Sequence, residues 1–124
     1  MIRKALLVIG CLAALGLGGQ AAFATTKPGV IYPVKVLITD TKISVAHDNY
    51  VHGAVILYRI QNRGTKPYTF EMFGTRTAVI APGKKDTLLV TWNYQGKFLY
   101  RSLYQGRSAG PKGFIRICKT EKPC

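Results

Sequence analysis

The chain has 124 residues, with 18 Lys and Arg against 5 Asp and Glu, giving a formal net charge of +13. This length holds one domain with a modest core, and five carboxylates without a short-spaced pair argue against general acid–base catalysis. The cationic excess suits acidic proteins, anionic lipid headgroups or polyanionic glycans.

The N-terminus reads as a cleavable signal peptide over residues 1–24. Arg3 and Lys4 precede an uncharged run from residue 5 to 19, and Ala22-Phe23-Ala24 supplies small-x-small cleavage chemistry. A retained anchor is the alternative, because the apolar run is just long enough to span a bilayer. Cleavage removes two cations, takes the net charge from +13 to +11, and leaves no transmembrane segment. The expected location is periplasmic or secreted, so nucleic acid is not an expected natural partner. Cys11 departs with the signal. Cys118 and Cys124 then form the candidate disulfide of an oxidising compartment, with a thiol metal pair or intermolecular bridges as alternatives.

In the remaining sequence alternation replaces any helical stripe. Residues 25–33 read as a lead-in, 34–118 as the domain and 119–124 as a tail. Strands are expected at 34–38, 42–46 and 54–62, where Ala54, Ile56, Tyr58 and Ile60 share one face. Further strands are expected at 68–73 and 76–80, with a Pro82-Gly83 turn after them. The run 87–94 alternates again and predicts Leu88, Val90, Trp92 and Tyr94 on a buried face. Gly96 leads into 97–104, a Gly-rich loop covers 105–113, and the last strand is 114–118. Short strands spaced about ten residues apart, joined by Gly, Pro and Asn turns, predict an all-β Greek-key β-sandwich.

The order of landmarks adds a resemblance. The runs NRGTKPYTF (62–70), IAPGKKDTLLVTW (80–92), GKFLYRS (96–102) and GPKGFIRI (110–117) resemble the scaffold of a small plastocyanin-type cupredoxin over residues 34–117. In that family an Asn-x-Gly turn leads to a histidine ligand. A Gly-x-aromatic-x-aromatic-x-Cys strand follows, and then a short loop with a second histidine and a methionine. Carried onto this chain, the four ligand positions fall on Tyr68, Ser102, Arg107 and Pro111. A blue-copper centre needs two imidazoles and a thiolate with a weak axial sulfur. A phenol, a hydroxyl, a guanidinium and a proline cannot replace them. The expectation is a copper fold with its copper site lost and no cofactor. Tyr68 and Arg107 are expected to pack into the vacated site, with the guanidinium over the ring or bonded to Ser102.

The resemblance also implies docking through the loop end. Tyr68, Arg101, Tyr104 and Arg107 are the candidate partner-binding residues, combining aromatic and arginine chemistry. The expected partner is an acidic envelope protein or polyanionic surface. An alternative is metal handling at unorthodox ligands, with His47 and His52 first, then Met72 or the reduced cysteines. A structural subunit of a larger redox complex is another. An enzyme is not expected. Neither Ser102 nor Ser108 has a histidine near in sequence, and GRSAGPKG (106–113) leads into a strand, without the helix N-terminus that would hold a phosphate.

Overall fold

Alternation sets the architecture. In Val55–Asn62 every second residue, Ile56, Tyr58, Ile60 and Asn62, is fully buried, while Val55, Leu57, Arg59 and Gln61 face outward. The computed structural model describes residues 30–119. The expected signal peptide, residues 25–29 of the expected lead-in and the end of the tail with Cys124 lie outside the described residues.

The strands are β1 Ile31–Ile38, β2 Ile43–Val45, β3 Asn49–Val51, β4 Val55–Asn62, β5 Thr69–Met72, β6 Thr75–Arg76, β7 Lys85–Thr91, β8 Gly96–Tyr104 and β9 Arg107–Cys118. They form a four-stranded sheet ordered β2-β1-β4-β7 and a five-stranded sheet ordered β3-β9-β8-β5-β6. β1 runs parallel to β4, and β3 runs parallel to β9; the other pairings are antiparallel. This is an all-β sandwich, as expected from the turn spacing.

One core fills the space between the sheets. Val34, Val36, Ile38, Ile56 and Ile60 from one side meet Phe70, Met72, Ile115 and Ile117 from the other. Trp92 is fully buried and its Nε1 donates to the Tyr58 hydroxyl at 3.1 Å, so the largest side chain of the core leaves no orphan donor.

Several boundaries differ from the sequence reading, for local reasons. Ile31–Pro33, expected in the lead-in, already belong to β1, held by parallel pairing to β4. The short β3 was not expected at all; three residues carry too little alternation to announce a strand. The 76–80 segment contributes only Arg76 to β6, then pairs again through a bridge between Tyr68 and Ile80. β7 stops at Thr91, so Tyr94, expected inside, is 60% exposed. The expected 105–113 loop is largely strand. Gln105 and Gly106 both take positive φ, 51° and 79°, a two-residue turn whose twist matches a hairpin, and β9 starts at once at Arg107.

One rim of the sandwich gathers the elements that matter for function. Parallel pairing of β1 with β4 brings Ile38 and Asn62 to the same end. β5 starts there, and the β8–β9 turn closes there, since Leu103 pairs with Thr69. We refer to this end as the loop rim. Asn62 organises it from inside the core. Its Nδ2 donates to Lys66 O at 2.8 Å and to Ile80 O at 2.7 Å, and its Oδ1 accepts from Gly64 N at 2.8 Å. Its backbone also holds the 81–84 turn, through Asn62 N to Lys84 O and Gly83 N to Asn62 O.

Replacing Asn62 with Ala strips the rim of three side-chain hydrogen bonds and leaves Ile80 O without its buried donor. Urea unfolding is expected to show a loss of about 2–4 kcal/mol at unchanged m-value, from buried groups left unsatisfied.

Candidate functional site

The four positions that the resemblance assigns to copper ligands come to or near the loop rim; Tyr68 and Arg107 line one cavity there, and Ser102 and Pro111 do not. Tyr68 sits just before β5, pinned on both sides by its backbone pair with Ile80. Its side chain is 3% exposed, and its hydroxyl donates to Asp40 Oδ1 at 2.7 Å. Asp40 is held in turn by Thr65, whose N–H and hydroxyl donate at 2.9 and 2.8 Å. These donors, the Tyr68 hydroxyl first, hold the Asp40 carboxyl below its ordinary value of 3.8. Burial and the adjoining Asp40 charge push the Tyr68 phenol up to about 12.

Gly64 allows this arrangement. A methyl group there would stand 2.5 Å from Asp40 Oδ1 and 2.8 Å from the Tyr68 ring, in the space that the hydrogen bond occupies. The Asn-x-Gly turn is therefore fixed by close approach, with Asn62 capping it from below and Tyr68 lying across it.

Ser102 is fully buried, and its Oγ has no hydrogen-bond partner among the described residues. It lies at an irregularity: β8 and β9 pair Arg101 with Lys112 and Leu103 with Ser108, so one residue of β8 faces residues 109–111 of β9. Gly110, with φ 110°, gives that bulge its bend, and Pro111 sits within it, half-buried. Arg107 opens β9 on the surface. The expected packing of Arg107 on Tyr68, or its bond to Ser102, is not what the structure has. Arg107 is exposed and makes no hydrogen bond, ion pair or ring contact among the described residues, because the hairpin turn carries it outward. Tyr68 has Asp40 as its partner instead.

Copper does not fit these residues. The Tyr68 phenol is a neutral hydrogen-bond donor already spent on Asp40, Ser102 offers a hydroxyl where a thiolate is needed, and Arg107 brings a fixed positive charge. The unorthodox candidates are apart as well. His47 and His52 flank β3, whose residues pair with the C-terminal end of β9, away from the loop rim. His52 Nε2 is bonded to Asn93 O at 2.6 Å, and the carbonyl of His47 accepts from the Tyr50 hydroxyl. Met72 is fully buried core, and Cys118 is disulfide-bonded. Among the described residues no group of three or more His, Cys, Asp and Glu side chains comes together.

The partner-binding candidates separate into two sets. Arg101 points to the outer face of the five-stranded sheet, where its Nε donates to Glu71 at 2.7 Å and a second cation, Arg76, also reaches Glu71 at 2.6 Å. The Arg101 guanidinium, then Arg76, holds the Glu71 carboxyl below its ordinary range against the opposing effect of burial. Tyr68 is interior support. Tyr104 and Arg107, paired across the hairpin, remain at the surface. There they line a cavity of about 580 Å³ with Asp40, Lys66, Tyr68 and Ser108. Lys66 is the residue that the sequence reading missed. Its Nζ stands 5.1 Å from the centre of the Tyr104 ring, and that ring meets Tyr68 edge-on at 6.3 Å. Its signal was its place in the Asn62–Tyr68 turn, the only basic side chain between Gly64 and Tyr68.

No protein-family model matches the chain, and no curated protein matches it in sequence. Solved structures share its fold. A blue copper oxidase from Nitrosomonas europaea superposes with a TM-score of 0.59 at 14% identity, covering 77% of this chain and 41% of the oxidase. A multicopper oxidase gives 0.58 at 16% identity over 70% of this chain and 42% of its own. Reduced auracyanin from Roseiflexus castenholzii gives 0.57 at 11% identity over 74% of this chain and 99% of its own. The chain spans less than half the length of either oxidase. The fold is cupredoxin-like.

Two measurements check the site. In Tyr68→Phe the Asp40 carboxyl, followed by NMR titration, is expected to move up toward 3.8. Because the folded-state value is depressed, the stability difference between the two proteins is present above about pH 4 and disappears as pH falls through the folded Asp40 value. Ser102→Ala removes a buried hydroxyl that bonds nothing, and thermal unfolding is expected to be unchanged or improved, by up to about 1–2 kcal/mol.

Proposed function

We propose that this protein is a basic, exported cupredoxin-like binding module, without blue-copper chemistry, that docks an acidic partner of the cell envelope through its loop rim. It acts by binding and positioning; it is not an enzyme. The observation that carries this reading is that Lys66, whose Nζ lies over the Tyr104 ring, and Arg107 line one cavity, and that among the described residues no carboxylate is bonded to either cation. The cavity's own carboxylate, Asp40, has its oxygens committed to Thr65 and Tyr68.

The chemistry of such a rim favours a carboxylate-bearing protein surface. Arginine offers a planar fork of donors, lysine a mobile point charge, and the tyrosine between them an apolar face with a polar tip. A formal charge of +13 over the whole sequence steers acidic partners inward and gives association a steep dependence on salt. Arg101 adds to the general field and not to the contact, since Glu71 holds it. The signal-like N-terminus and the periplasmic or secreted location belong to this proposal, as does the absence of nucleic acid among its natural partners.

Capture from an envelope extract at low and high ionic strength, repeated with Lys66→Glu/Arg107→Glu, tests the reading. The captured acidic partner is expected to be lost at high salt, and the double variant is expected to bind it at least about tenfold more weakly at low salt. Binding that is indifferent to both changes overturns rim docking.

A further inference from the structure

The outer face of the four-stranded sheet brings together residues that sequence spacing keeps far apart. Register sets out the rows across β1, β4 and β7: Ile31–Val55–Thr91, Pro33–Leu57–Leu89, Lys35–Arg59–Thr87 and Leu37–Gln61–Lys85. One half of the face is apolar and the other is cationic. Lys35, Arg59 and Lys85 line a shallow concavity of about 670 Å³ with Gln61, Asp86 and Thr87.

Both halves are costly in an isolated protein. Lys35 and Arg59 stand directly opposite each other on neighbouring strands, and like charges so placed repel. Neither they nor Lys85 forms an ion pair, since both ion pairs among the described residues fall on Glu71. The acid that lines the concavity, Asp86, accepts at 2.8 Å from the N–H of Thr87, the next residue of β7. Beside this row, Ile31 and Leu89 are each 54% exposed.

We infer that this face is a docking site for an anionic phospholipid surface, with Lys35, Arg59 and Lys85 on the headgroup phosphates and Ile31, Leu57 and Leu89 against the glycerol and upper acyl region. A surface that is anionic and apolar at once satisfies both halves. A soluble polyanion would cover the cations and leave the leucine and isoleucine in water. An acidic protein patch would match the charge but not the apolar rows beside it. The last row of this face, Leu37–Gln61–Lys85, adjoins the loop rim, but its cations are not those of the rim cavity, and the inference stands or falls apart from the rim reading.

Sedimentation with vesicles tests it, using the protein purified in its natural N-terminal form. Phosphatidylglycerol–phosphatidylcholine vesicles are expected to bind it, and pure phosphatidylcholine vesicles much less. Lys35→Gln/Arg59→Gln/Lys85→Gln is expected to lower partitioning by about a hundredfold, near fivefold per cation at an anionic surface. Leu89→Ser, which keeps the charge, is expected to lower it severalfold, with circular dichroism confirming the fold of each variant. Lys66→Gln/Arg107→Gln is expected to leave most of the binding intact. Equal losses in the sheet and rim variants would mean that net charge alone acts, and would overturn the site. A sulfated polysaccharide bound as tightly as the vesicles, with Leu89→Ser without effect on either, would overturn the lipid assignment. Retention of the envelope partner by the sheet variant separates this result from any failure of rim docking.

Discussion

A buried carboxamide governs the loop rim. Asn62 lies at the end of the alternating run of β4, where the next inward position would otherwise be apolar, and it is fully buried. An amide placed there has two donors and an acceptor that must all be satisfied. Lys66 O, Ile80 O and Gly64 N satisfy them, and in doing so they fix the path of residues 63–68 over the sheet edge. The consequences follow in order. The turn is pulled down onto the core, Gly64 must lack a side chain, Tyr68 lies across it, and Asp40 from the β1–β2 turn closes over the Tyr68 hydroxyl. A rim that binds a metal draws stability from the ion whenever it is loaded, since a ligand bound only to the folded state adds to its stability. Here hydrogen bonds within the chain hold the described rim together.

The distribution of acids explains why the two sheet faces differ. Glu71 draws in Arg76 and Arg101, and Lys97 settles over the Phe114 ring at 4.4 Å, so the five-stranded face neutralises or shields much of its own charge. On the four-stranded sheet Asp86, opposite Ile60 and in phase with the inward residues of β7, bonds its own strand's backbone, and Lys35, Arg59 and Lys85 form no ion pair among the described residues. With only five carboxylates in the sequence, one face can be balanced and the other cannot. Repulsion across β1 and β4 is a modest cost that a sheet with a continuous buried inner face carries easily; Val34, Val36 and Ile38 meet Tyr58, Ile60 and Asn62 there with no gap in the row.

The fold was legible because it rests on local pattern, whereas the sites rest on register. Period-two burial in 55–62 and 87–92 needed no partner strand to be seen, and the Asn-x-Gly turn announced its own geometry. The failures share a cause. Tyr94 follows the alternation but falls past the last paired residue of β7, so nothing covers it. Residues 105–113 look like a loop by glycine content, yet a two-residue turn at Gln105–Gly106 lets Arg107 pair immediately with Tyr104. Arg107, expected to fold back onto Tyr68, is thereby carried to the surface. The partner of Tyr68 is Asp40, 28 residues earlier, and the cations at 35, 59 and 85 become neighbours only after three strands are aligned. No composition or spacing rule encodes those distances.

Ser102 shows how much local irregularity the scaffold tolerates. A buried hydroxyl without a partner is a small net loss, of about 1–3 kcal/mol, and the bulge of β9 opposite it is a local irregularity that a regular hairpin would not need. Neither feature is what a sequence optimised only for stability would hold at the centre of a strand pair. The sandwich tolerates both because its cohesion lies elsewhere, in the continuous layer from Val36 and Ile56 to Phe70 and Ile115, all fully buried. The rim is tied to that layer through the buried Asn62, while Lys66 and Arg107 stand outside the core.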